Sequence, residues 1–81
     1  MMDKTLMVAK WFCDNNLTVK SASFDGNLLL NKLCYYSKAM FLSLDKNIIQ
    51  KDVEAWKNGP VLPYVYGQYR YDNLLGTNYN V

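Results

Sequence analysis

Two thiols, a short acidic pair and a run of tyrosines are the side chains in this sequence whose types could do chemistry. Cys13 and Cys34 lie 21 residues apart and could serve as a nucleophile, a disulfide or part of a metal site. A zinc site needs four ligands, and two thiols with no CxxC spacing and no neighbouring donors do not close one. The chain contains no histidine, which removes the commonest general base, the usual triad and the commonest metal ligand. The reading preferred for both thiols is two small buried apolar side chains. Asp52 and Glu54 stand two apart, which on a helix points them away from each other, and no base or phosphate loop accompanies them. No catalytic residue, metal site or cofactor is expected, and the chain is not expected to be an enzyme.

Charge narrows the partners. Nine Lys and Arg against seven Asp and Glu give a net charge of +2, and Arg70 is the only arginine. Nucleic-acid binding draws most of its affinity from basic residues gathered on one face, whereas these lysines are spread along the chain. A DNA-binding autorepressor is accordingly disfavoured. The longest stretch without a charge, Asn58 to Tyr69, holds twelve residues broken by two glycines and two prolines, too short for a membrane-spanning helix. The start, Met1-Met2-Asp3-Lys4, has no basic region followed by an apolar core, so the expected compartment is the cytosol.

The elements that must position these side chains follow from periodicity. Leu, Ile, Val and Phe make up 22 of the 81 residues, enough for one small folded domain covering residues 1–81. Leu6, Met7, Ala9 and Cys13, with Val8, Trp11 and Phe12 a turn aside, predict a helix over Asp3 to Asn16. Asp3 would cap it or serve as an early-turn acid, and Asn15-Asn16 would end it, because Asn tolerates the left-handed conformation. A second helix is predicted over Asn27 to Leu44. Leu30, Leu33, Cys34, Ser37, Phe41 and Leu44 repeat every three or four residues, and Leu29, Tyr36 and Met40 widen the stripe. Asp25-Gly26-Asn27 would supply the turn and cap ahead of it. A helix apolar over so much of its circumference should be central, with Asn31, Lys32 and Lys38 reaching water.

Asp52 to Lys57 is too short for an independent helix, so any helical turn there would depend on packing. Gly59 permits a positive φ, and Pro63 suits the first turn of a last helix reaching from about Leu62 or Pro63 to Tyr71, with Gly67 as its weak point. The tail gives no strong signal after Leu75 and is expected to fray. The predicted fold is all-α: a small helical bundle with a central apolar helix and an irregular loop before the last helix.

Two motifs carry a family resemblance. Leu30-Asn31-Lys32-Leu33-Cys34-Tyr35-Tyr36 resembles the L-x-K-L-L-Y-Y helix motif of the Panacea domain family, the SocA-like antitoxins also called phage-associated proteins. Glu54-Ala55-Trp56-Lys57-Asn58-Gly59-Pro60-Val61-Leu62-Pro63-Tyr64-Val65-Tyr66 is similar to that family's second motif, E-A-W-x-x-G-P-V-x-P-x-V-Y. Val8-Ala9-Lys10-Trp11-Phe12 resembles its first helix. The likeness covers about residues 6 to 70, with Cys34 where the family has a second leucine. Family members continue with further helical sequence, so this chain reads as a C-terminally short version.

The resemblance implies a non-enzymatic role. Its members neutralise unrelated toxins by direct binding, usually from a two-gene pair, and some present a toxin to a protease. The expected function is therefore toxin neutralisation by protein–protein contact. The alternative is a small phage-encoded inhibitor of a host defence nuclease, of anti-CRISPR type. Within the motifs, Leu30, Lys32, Leu33, Tyr35, Tyr36, Trp56, Gly59, Pro60 and Pro63 read as a fold signature, with Trp56 buried against the central helix and one tyrosine of Tyr35-Tyr36 in the core. Adjacent helix positions diverge, so those two rings should not form one platform. Tyr64, Tyr71 and Arg70, with Tyr66 and Tyr69 on another face, are the candidates for contact with the partner. A shortened bundle should also expose apolar surface, and a dimer or higher oligomer is expected.

Overall fold

The computed structural model describes residues 3–20 and 23–72, so the tail after Asp72 lies outside it. Helix α1 runs Lys4–Asn15. Asp3 caps it as expected, its Oδ1 accepting the Thr5 N–H at 2.7 Å. That hydrogen bond favours the ionised form and holds the Asp3 carboxyl below its ordinary pKa. Asn16 ends α1 for a different reason from the one expected. Its backbone is extended, with φ −130°, because its side chain caps a second helix, α2, Leu17–Lys20. Oδ1 of Asn16 accepts the N–H groups of Thr18 at 3.0 Å and Val19 at 3.2 Å.

Helix α3 spans Phe24–Ser43 and so begins earlier than the sequence suggested. Ser23, not the Asp25-Gly26-Asn27 stretch, is its cap: Oγ accepts the Gly26 N–H at 2.9 Å. The helix stops where Asp45 takes a left-handed φ of 60°. That turn lets the Lys46 N–H reach back to the Phe41 carbonyl at 2.8 Å, the closure usually made with Gly or Asn.

The all-α expectation is corrected by the segment that follows. Strands β1, Glu54–Trp56, and β2, Gly59–Val61, pair antiparallel with Glu54 opposite Val61, Ala55 opposite Pro60 and Trp56 opposite Gly59. The fold is mixed, mostly helical with one small two-stranded sheet. The irregular loop before the last helix is this hairpin. Gly59 takes φ +124° directly after the turn, a conformation open to glycine. Pro60 is tolerated in β2 because its pair with Ala55 is a non-bonded one, so its missing N–H would have faced away from β1. Helix α4, Pro63–Gly67, has proline in its first turn and passes at Gly67 into a π-helical turn, Gln68–Asp72. Gly67 is thus the weak point of the predicted last helix.

The core joins Leu6, Ala9 and Cys13 of α1, Val19 of α2, Leu30 and Cys34 of α3, Ile49, Leu62, Val65 and Tyr69. Helix α3 is central along its first half, where it meets α1, α2, β2 and α4 and buries Gly26, Asn27, Leu30, Asn31 and Cys34. The expectation of a central position fails beyond Cys34. Tyr36, Met40, Leu42 and Leu44 are each more than half exposed, because no described element covers the outer flank of the helix there.

Candidate functional site

The surface available for contact is set by how the hairpin and α4 dock on α3. Two buried asparagines do this. Asn31, expected in water, is fully buried. Its Oδ1 accepts the Leu62 N–H at 2.9 Å, and its Nδ2 donates to Asn27 through the carbonyl at 2.8 Å and Oδ1 at 3.0 Å. Asn27 Nδ2 in turn donates to the Tyr66 carbonyl at 3.3 Å. The fold-signature residues Leu30 and Pro63 flank this ladder, Leu30 buried and Pro63 opening α4, while Leu33 is half-buried against the core. Lysines are used as well. Lys32 lays its stem near Gly59, and Lys38 Nζ donates to the Lys51 carbonyl at 2.7 Å.

The hairpin leaves a cleft of about 520 Å³ against α3, lined among others by Tyr35, Tyr36, Glu54, Trp56 and Pro60. Trp56 is not the buried wedge expected. It is 40% exposed, donates Nε1–H to Glu54 Oε1 at 2.9 Å and leans on Tyr66 with ring centres 5.1 Å apart. Neither Tyr35 nor Tyr36 is core; both are exposed, Tyr36 by 61%. Their rings sit 5.7 Å apart, tilted by 57°, so they make no single flat platform, although both line the cleft.

The tyrosines proposed for contact separate. Tyr69 is fully buried and cannot meet a partner. Its hydroxyl donates to the Val19 carbonyl at 2.6 Å and accepts the Ser23 N–H at 3.2 Å, tying the π turn to the α2–α3 junction. Tyr64 is half-buried against the core with the Lys51 ammonium 4.4 Å from its ring centre. Tyr66 carries Trp56. Tyr71 is 71% exposed, and Arg70 Nε donates to its hydroxyl at 3.0 Å. Tyr71 and Arg70 thus remain at the surface without Tyr64 beside them.

A second surface went unassigned from sequence. Between α1 and the outer half of α3 runs a groove of about 400 Å³, almost wholly apolar, lined by Met7, Val8, Trp11, Phe12, Met40 and Phe41 with Ser37. Trp11 is 60% exposed, and Met7 and Met40 also show more than half their surface. Helical spacing marked these residues as apolar but could not say which part of a wide stripe stays uncovered.

Both thiols are free and buried. Burial, which disfavours the thiolate, pushes Cys13 up to about 11 and Cys34 up to about 12, the behaviour of packing residues. Among the described residues no cluster of His, Cys, Asp or Glu could hold a metal ion, and no helix is long and apolar enough to cross a membrane. Comparison with protein-family models, with curated proteins and with solved structures found no match.

Proposed function

We propose that this chain is a protein-binding module of antitoxin type, acting in the cytosol, that neutralises a toxin protein by covering part of it. The observation that carries this is the α1–α3 groove. A chain with a filled core leaves Met7, Trp11 and Met40 more than half exposed along one nearly charge-free trough. Soluble monomers rarely present such contiguous apolar surface without using it. Trp is prominent among interface hot spots, and Met adapts its shape to a partner. Closing off the exposed half of each such side chain is worth roughly 1 kcal/mol before the costs of association. The two sequence motifs support the antitoxin reading in particular through their resemblance to Panacea domains.

The test is growth of cells expressing the product of the neighbouring open reading frame, with and without this chain. Rescue by the native chain, lost in Met7→Asp/Trp11→Asp at equal folded abundance, is expected. A neighbouring product that is harmless, or rescue unchanged in the double variant, would contradict the reading. Protection of an infecting phage from a host nuclease in place of rescue would move the assignment to an inhibitor of a defence effector.

A further inference from the structure

Among the described residues no element pairs with the outer edge of strand β1. Pro60 has no N–H to give, so its pairing with Ala55 is one in which the two main chains do not bond each other. The Ala55 N–H and C=O are therefore turned away from β2. Among the described residues the sheet has two strands, and Ala55 is exposed. Native proteins usually protect such an edge, because it templates pairing with another chain. Neither Ala55 group has a hydrogen bond to another described residue. Beside this edge lies the cleft, whose size falls within the usual range for bound groups.

Its lining selects the sign of the guest's charge. Tyr35, Tyr36 and Trp56 present aromatic rings, and Glu54 is the only charged residue among the lining residues. Aromatic faces attract cations, and a carboxylate beside them does so more strongly. Glu54 holds the Trp56 N–H, a neutral donor, and forms no ion pair with a described residue. We propose that the outer edge of β1 and this cleft bind an extended, cationic segment of a partner protein. Its main chain pairs with Ala55, and a Lys or Arg side chain lies over the Tyr35–Tyr36 rings against Glu54. This surface is separate from the α1–α3 groove, so either assignment can fail while the other stands.

The probe is a capped Thr-Val-Lys-Val-Thr pentapeptide titrated into the 81-residue chain and followed by amide and aromatic-ring NMR. We expect saturable shifts at the Ala55 amide and at the Tyr36 ring. Binding should weaken about tenfold in Glu54→Gln or when the peptide lysine is replaced by norleucine, the loss expected for a cation held by aromatic rings and a carboxylate. The glutamine can still accept the Trp56 N–H, so the cleft is kept while the charge goes. N-methylation of the peptide backbone should abolish the Ala55 shift. No shift at millimolar peptide, ring shifts without an Ala55 shift, or equal binding of a peptide with Glu for Lys would overturn the proposal. Concentration-dependent broadening of the Ala55 amide without peptide would assign the edge to a second copy and overturn it as well.

Discussion

The side-chain carbonyl of Asn31 accepts the main-chain N–H of Leu62 at 2.9 Å, inside the core and 31 residues away in sequence. This bond pins the start of α4 to the middle of α3 and so fixes where the hairpin stands. Asn31→Leu strands the buried Leu62 N–H and removes two donors to Asn27. Unsatisfied buried groups of this kind cost about 1–3 kcal/mol. Urea denaturation should therefore show a loss of at least about 1 kcal/mol; an unchanged midpoint would mean water reaches the site.

Gly26 should tolerate no side chain. A Cβ there would stand 2.5 Å from the Thr18 carbonyl oxygen and 2.5 Å from the Tyr69 hydroxyl, far inside contact distance. Gly26→Ala should destabilise by about 1–3 kcal/mol, despite the roughly 1 kcal/mol that alanine gains in a helix. Gly67→Ala is the control, because nothing lies within 4 Å of its Cβ position. It should be neutral or raise Tm by a few degrees, consistent with about 0.5 kcal/mol. Equal effects at the two glycines would contradict the packing described.

The thiols give a reading of core integrity. With pKa values pushed up to about 11 and about 12, Cys13 and Cys34 are protonated at neutral and mildly alkaline pH, and the thiolate is the reactive form. Alkylation at pH 8 should be negligible in the folded chain and complete for both in denaturant. Fast labelling of either in native buffer would show α1 parting from α3.

The α1–α3 groove should also make copies of the chain associate when no partner is present. Light scattering is expected to give a mass that rises with concentration for the native chain. Trp11→Asp should return it to the monomer, with stability changed by less than about 1 kcal/mol, because Trp11 is mostly in water. A native chain that remains monomeric at high micromolar concentration would remove self-association from the account.

The existence of α1, α3 and α4 and the Asp3 cap were legible in the sequence because they rest on local spacing, whereas the four-residue α2 is too short to show any. Also legible were the positive φ at Gly59, the proline start of α4 and the burial of the cysteines. What was not legible rests on contacts far apart in the chain. Three-residue strands carry no alternation to detect, so β1 and β2 were read as an irregular loop. Asn31 reads as a solvent residue because its partners at 27 and 62 lie on other turns and elements. Tyr69 looks like a surface ring until the α2–α3 junction supplies acceptor and donor for its hydroxyl. Trp56, conversely, reads as core because tryptophan often is, yet its place on the outer strand β1 keeps it at the surface. The width of the apolar stripe on α3 was visible, but not that no described element would cover its outer half.

The most direct test is a titration of the purified product of the neighbouring open reading frame with this chain, reading the residual growth-inhibiting activity of that product against molar ratio. A module that acts by covering its target predicts a linear fall to a sharp end point at a fixed stoichiometric ratio, shifted or lost in Met7→Asp/Trp11→Asp. Inactivation that runs to completion at a small fraction of that ratio would mean turnover, and it would contradict the account.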